Sequence, residues 1–577
     1  MDVRSPRHVK HALLLLVGAV VLISSCAPAP TTPRSDAGVS PQSRGVPKTL
    51  RMATRAEPVA GIALFGGSGD GSAQNTWMYH AGLTAHDGQG NLLPRLARKV
   101  PSVSDGDWVV LPEGGMEVTW KLRPSLKWHD GVPLSADDFV FGIQVARDPE
   151  LPLPRTGGVS LVSEVTAPDP ETLVVRWSTP YFSANEGAPA EFPAVPRHIV
   201  GDLYRQGDKK AFTNSPYWAT EFIGLGPYKL GEWVQGAYTE ALAFDDYVLG
   251  RPKIDRIIVR YISDATTTVA NLLSGEIDLV TIGSLKMEDL EPVIRAWEPT
   301  GAGSVIPSMT DVSSGRFQFR APNAAWARDV RVRQALLHLI DRDTLAATFS
   351  PGGTRADLFL AKEDPVYRLA EQRGFAKYPY DLTQAERLLA EAGWSRGAGG
   401  AFQSAAGQRF SIEVRSVETT PLNTRQALAV MDQWKQGGVD SALTNIPNNV
   451  ANRSELKAAT EGIYMGNETV TADLLQSFTA SQIATAQNNW AGRNFTAYVS
   501  PDFDALYARF VSELDLPRRQ SVQVDLLSWS ARELFVLPFF YTAATGITTF
   551  RRGIRGPGPI LPVLKVGTWN IHTWEMD

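Results

Sequence analysis

The sequence predicts a mixed α/β protein built from two or three domains. Three observations carry that expectation. The chain has 577 residues, whereas a single hydrophobic core stops growing at about 250–300. Stretches with period-two alternation read as half-buried strands; in 117–122 (EVTWKL), Val118, Trp120 and Leu122 share a face. Between such stretches lie amphipathic segments behind capping residues, such as 381–394 (DLTQAERLLAEAGW), where Asp381 precedes Gln384 by three and Gly393 stands as a stop.

The amino terminus reads as a leader. Arg4, Arg7 and Lys10 precede an apolar run at 12–23, too short for a membrane span of about 20 residues and suited to a signal-peptide core. The run ends in Ile23-Ser24-Ser25-Cys26, which resembles a bacterial lipobox. That resemblance implies cleavage after 25 and lipidation of Cys26; the alternative is an ordinary secretory signal with an incidental cysteine. Cys26 is the only cysteine, so no disulfide is expected. Residues 27–47 carry proline, serine and threonine with few apolar side chains and read as a flexible stalk. A diacylglyceryl anchor would hold the body at the outer membrane face, since two acyl chains hold where one binds marginally.

A formal net charge of −5 with no basic stripe gives no electrostatic case for nucleic acid. Taken in order, 49–53 (TLRMA) is the first strand. The glycines at 66, 67, 69 and 71 follow in a loop, but no Lys-Ser/Thr pair comes after them, which argues against a phosphate cradle. After the strand at 117–122, Trp128-His129-Asp130-Gly131 forms a corner. Ser135 and Asp138 then make an acidic capping box ahead of Phe139, Ile143 and Ala146. Later strands are expected at 166–177, 257–262, 277–282, 316–320 and from 411. Helices are expected after Asp329, at 422–436 and at 517–534. The histidines never pair at zinc spacing, and His198 reads as structural or solvent-facing. Arg331, Arg333 and Arg342 read as a solvated helix face rather than an anion site.

The 117–142 unit (EVTWKLRPSLKWHDGVPLSADDFVFG) closely resembles the family 5 extracellular solute-binding proteins of ABC importers, the dipeptide- and oligopeptide-binding group. Further matches follow in the family's order: Gly224-Leu225-Gly226-Pro227-Tyr228, Gly250-Arg251-Pro252-Lys253-Ile254-Asp255, Ser274-Gly275-Glu276-Ile277-Asp278, 329–342, 381–394, 494–506 and Leu537-Pro538-Phe539-Phe540-Tyr541. The resemblance covers nearly the whole chain from about residue 50. It implies a periplasmic-binding-protein-like clamshell of two lobes, in the large three-domain form. The first lobe would combine 48–82, 181–285 and 538–577, the extra small domain would be 83–180, and the second lobe 286–537. The glycine-rich loop would lie at the cleft mouth.

In peptide binders of this family an aspartate near 470 pairs with the ligand's α-amino group. Here 462–478 reads GIYMGNETVTADLLQSF: Gly466 fits, Asn467 stands at the tryptophan position and Val470 near the aspartate. Glu468 or Asp473 would have to substitute. The candidate ligand-binding residues are Glu57, Gln318, Gly466, Asn467, Glu468 and Tyr541. Tyr541 reads equally as a ligand contact or a buried strand tyrosine with a backbone partner. No catalytic or metal residue and no cofactor is expected.

The resemblance implies capture without bond chemistry, by a monomer that closes on a peptide or similar solute and docks on permease subunits served by a separate ATPase. Other members take sugars, metal chelates or opines. The competing readings are a secreted hydrolase, against which no Gly-x-Ser-x-Gly elbow, HExxH or mature-chain cysteine stands in the sequence, and a non-transport sensor or chaperone on the same fold.

Overall fold

The computed structural model describes residues 47–58, 76–151, 153, 157–189, 192–321, 323–417, 421–447, 450, 452–544, 546–560 and 566–577. The leader, Cys26, nearly all of the stalk and most of the glycine-rich loop lie outside them. Among the described residues no helix is long and apolar enough to cross a membrane.

Two sheets organise the chain. The larger has seven strands in the order Gly303–Pro307, Ile547–Arg551, Leu279–Val280, Thr49–Thr54, Arg256–Tyr261, Tyr238–Ala243 and Tyr228–Val234. Thr49–Thr54 runs parallel to both Arg256–Tyr261 and Leu279–Val280. Its alternation works as expected: Leu50 and Met52 enter the core beneath one face, while Ala53 enters the core on the other. The smaller sheet has five strands, Asp440–Ile446, Ser411–Val417, Ile463–Thr469, Asp311–Phe317 and Val536–Thr542. The first three are parallel and the last two join by antiparallel pairing. Ile412, Val414, Ile463 and Met465 fill the core on one face, and Val312, Val470, Val536 and Tyr541 the core on the other.

A third, four-stranded antiparallel sheet (Trp108–Val110, Met116–Lys121, Thr172–Trp177, Val162–Asp169) packs the helix Ala136–Arg147 around Trp120, Trp128 and Trp177. This sheet and helix fall within 83–180, the stretch expected to form the extra small domain. The Asp138 carboxylate accepts the Ser135 N–H at 3.0 Å, the capping contact expected at that helix start.

The two most recognisable motifs dock on each other. His129 N–H donates to Gly224 O at 3.0 Å and its Nδ1 accepts Gly224 N–H at 3.1 Å, so the proton lies on Nε2, which reaches Gly226 O at 3.0 Å. A Cβ on Gly224 would stand 1.9 Å from Tyr79 O, and one on Gly226 would stand 2.4 Å from Met78 O. Both positions demand glycine because a neighbouring backbone lies in the space of a side chain. His198 completes the corner by meeting Asp130 Oδ2 at 2.8 Å, a structural role.

Strand pairing moves two expected lobe boundaries. The helix Met287–Trp297 and the strand Gly303–Pro307 belong with the seven-stranded sheet, beyond the boundary read at 285. Val536–Thr542 completes the five-stranded sheet, so the chain crosses back after 542 rather than at 538. The arginine reading also changes. Arg333 is buried, donating to Glu533 O at 2.7 Å, and Arg342 is buried against Asp357 at 2.9 Å; only Arg331 lies at the surface, paired with Asp329. Elsewhere the caps fall as read: Gly275 ends its helix at φ 87°, and Asp381 accepts Gln384 N–H at 2.9 Å.

Candidate functional site

The sheets are joined by two short crossings side by side, 308–310 and 543–546. Ser308 N–H donates to Gly546 O at 2.7 Å, and Lys286 Nζ reaches Ala544 O at 2.8 Å. A Cβ on Gly546 would meet Ser308 O and Thr310 Oγ1, each at 2.7 Å. Both crossings leave from the edge at which the parallel strands end: Asp311 pairs in register with Thr469 and Thr542, and Pro307 with Ile547. In open α/β sheets ligands gather outside the carboxyl ends of strands. Here two such edges are linked by the two short crossings, which makes the space between them the candidate ligand cleft.

On the first edge, the Glu57 carboxylate accepts Trp233 Nε1–H at 2.6 Å and Gly236 N–H at 2.9 Å. It thereby ties the segment after the first strand to the turn of the hairpin Tyr228–Val234 and Tyr238–Ala243. Arg55 is exposed beside it, its N–H donating to Ser284 Oγ at 3.1 Å.

On the second edge the chemistry follows strand register. Gly466, Asn467 and Glu468 stand opposite Ser314, Ser313 and Val312. Glu468 points to one face, where Arg316 grips both carboxylate oxygens and Ser314 Oγ donates at 3.2 Å. The Arg316 and Glu468 side chains are 9% and 7% exposed, so the carboxylate is neutralised inside the protein. Asn467 points to the other face, toward the helix Pro421–Gln436. Its Nδ2 donates to Asn423 Oδ1 at 3.1 Å, and its Oδ1 is buried with no partner among the described residues. Gln426, one turn along that helix, accepts Ser313 Oγ–H at 2.9 Å, and its Nε2 is likewise buried without a described partner. Thr310 and Thr469 hydroxyls donate to the buried Asp311 carboxylate at 3.0 and 3.1 Å.

The other two candidates sit elsewhere. Gln318 lies past the far end of its strand from the crossings, its Nε2 donating to Ala458 O at 2.6 Å and Phe495 O at 3.1 Å. Tyr541 is one residue from the crossing edge, but its hydroxyl is buried 2.8 Å from Leu360 O, and burial pushes its ionisation up. The Asp473 side chain lies outside the described residues. The sequence reading missed Asn423, Gln426, Ser313 and Asp311. Alternation alone says that Asn467 faces opposite to Gly466 and Glu468; which residues it meets there depends on the strand register. Among the described residues no group of three His, Cys, Asp or Glu side chains converges as a metal site.

Residues 92–490 match the sequence profile of the bacterial extracellular solute-binding proteins, family 5. The chain belongs to that family. It is 24% identical over 441 residues to the oligopeptide-binding protein AppA of Bacillus subtilis, covering 75% of each chain. Its fold is that of two solved structures. One is the oligopeptide-binding protein of Thermus thermophilus complexed with a pentapeptide (TM-score 0.70, 20% identity, covering 92% of this chain and 96% of the other). The other is NikZ of Campylobacter jejuni in complex with Ni(L-His) (TM-score 0.70, 22% identity, covering 92% and 100%). The two-lobe α/β clamshell is thereby established, and the stretches 117–142 and 224–228 lie inside the span that matches the family profile.

Proposed function

We propose that this family 5 protein captures a peptide or similar small solute between its two lobes and delivers it to the permease of an ABC importer. The reading rests on one observation above the others: two sheets are linked at their strand-end edges by a pair of short hinge crossings. A solute touching both edges favours the form in which the edges approach, because only that form makes both sets of contacts. The work is binding, and the ATPase belongs to another chain.

Of the six candidate residues, Asn467 is the one we assign to the ligand; Gly466 faces the other side of the strand, where a Cβ would stand 3.2 Å from the Tyr464 ring. Glu57 shapes the opposite rim by holding the hairpin turn. Gln318, Glu468 and Tyr541 act by holding the second lobe rigid, through Ala458 O, Arg316 and Leu360 O. A ligand amine would therefore find its counter-charge elsewhere than Glu468. We further propose that Cys26 carries a lipid anchor and 27–47 a stalk, leaving a monomeric body outside the cytoplasmic membrane.

A thermal-shift screen of the full chain tests the reading, with di- to nonapeptides and nickel–histidine as probes. A probe at about 100 times its dissociation constant stabilises the fold by roughly 2.7 kcal/mol. A saturable shift that Asn467→Ala removes supports the assignment. A saturable shift equal in Asn467→Ala and wild type rejects Asn467, and silence across peptides and chelate rejects the proposed solute class.

A further inference from the structure

Among the described residues, besides the crossings, the lobes touch through two side contacts, one ionic and one built mainly on backbone and ring packing. Glu288, on the first-lobe helix Met287–Trp297, makes an ion pair with Arg425, on the second-lobe helix Pro421–Gln436. Their side chains are 47% and 54% exposed, so water and salt reach the pair. The other contact joins the segment following the small-domain sheet to the second lobe. There Phe182 N–H donates to Val511 O at 3.0 Å, and the Phe182 ring lies 5.1 Å from Phe510. The Arg519 guanidinium stands 4.7 Å from the Phe182 ring centroid, and Leu514 packs against the small-domain core. The two contacts engage different sides of the second lobe: Pro421–Gln436 covers the face with Ile412 and Met465, and Phe510 belongs to the core with Val312 and Tyr541.

We infer that Glu288 and Arg425 form a salt-sensitive gate across the cleft, while the Phe182 contact stays closed and serves with the crossings as the axis about which the gate swings. Ionic attraction between solvated side chains is screened over a distance that shrinks from about 10 Å at 0.1 M to about 3 Å at 1 M salt. A backbone hydrogen bond flanked by packed rings depends far less on salt, and the charge that Arg519 adds beside Phe182 and Glu186 is a minor part of that contact. The lobes thus part at one side, and the fraction open without cargo is set by the gate. An empty protein would sample the open form more at high ionic strength than at low. The inference rests on the two-lobe fold and on no assumption about the cargo, so its test uses the empty protein.

The chain's single cysteine makes the test direct. In the full chain with Cys26→Ser, spin labels at Glu291→Cys and Leu428→Cys sit one turn from each gate residue, and labels at Ser178→Cys and Arg518→Cys flank the Phe182 contact. Pulsed dipolar distances are read without cargo at 50 mM and 1 M NaCl. The expected result is a second, longer distance for the 291/428 pair that grows at high salt. In Arg425→Glu it dominates at both salts, and in the Glu288→Arg, Arg425→Glu exchange it recedes, while the 178/518 distance stays constant throughout. A 291/428 distribution unmoved by salt and by Arg425→Glu overturns the gate. Widening of both pairs together overturns the division into gate and axis. The salt titration of the chain without gate substitutions decides the matter even if a variant folds poorly.

Discussion

The corner at 128–131 and the strand Ile463–Thr469 both bury polar groups, but they obtain partners in different ways. His129 is satisfied by the backbone of a second motif, Gly224 and Gly226, and each motif is recognisable by itself. Glu468 is satisfied by Arg316, a side chain 152 positions away that comes into reach only because Asp311–Phe317 pairs with Ile463–Thr469 in one register. The first arrangement is a scaffold whose two halves each read as a motif, although its glycines are required by the backbone of Met78 and Tyr79. The second is encoded by parity, and a one-residue slip would send Glu468 to the face that Asn467 occupies.

The comparison can be broken at its strongest bond first. Arg316→Met leaves the Glu468 carboxylate buried and unpaired and should cost about 3–5 kcal/mol; adding Glu468→Gln should recover much of that. Urea midpoints of the single and double variants measure it. On the scaffold side, Gly224→Ala forces a methyl group into Tyr79 O and should cost about 3 kcal/mol, because a backbone carbonyl cannot rotate away as a side chain can. A midpoint within error of wild type would mean that Gly224 does not lie against the Tyr79 carbonyl as described.

Acid sharpens the same contrast. Burial between Trp128 and Phe222 lowers His80 to about 4, and burial lowers His129 to about 3. The unfolded chain takes up these protons below about pH 6.5. Above that pH neither histidine affects the folding balance. As pH falls below it the unfolded state binds protons that the folded state refuses, so stability declines until each folded value is reached. His80 alone should account for a loss of roughly 2 kcal/mol by pH 5. In His80→Phe, melting temperatures between pH 7 and 5 should fall less steeply than in wild type; parallel curves would show that folded His80 takes up its proton as readily as the unfolded chain does. Asn467→Ala should be the smallest change, under about 1 kcal/mol in the empty protein, since it removes a single neutral hydrogen bond.

Much of the scaffold was legible for a physical reason. Caps such as Asp381 and stops such as Gly275 act within four residues, so their neighbours in sequence are their partners in space. The arginines show where that logic ends. Arg333 and Arg342 lie on short helices whose polar residues read as a solvated face, but their partners, Glu533 O and Asp357, come from other parts of the second lobe. The lobe boundaries shifted similarly, since Gly303–Pro307 is assigned by its pairing with Ile547–Arg551, over 240 residues later. At the candidate site, Tyr541 has both the body and the polar tip of a ligand contact. Only the fold shows its hydroxyl at Leu360 O. Asn423 and Gln426 were passed over because they look like ordinary helix polar residues until Ser313 and Asn467 are placed beside them.

The central claim is that solute is held between the strand ends at the hinge. Amide hydrogen exchange of the full chain tests it most directly, with and without whichever peptide or nickel–histidine probe shifts the melting temperature. The account predicts new protection at 308–310, 467–469 and 543–546, with the corner at 128–131 unchanged. Protection confined to the small domain around Ala136–Arg147, with those three segments exchanging as before, would contradict it.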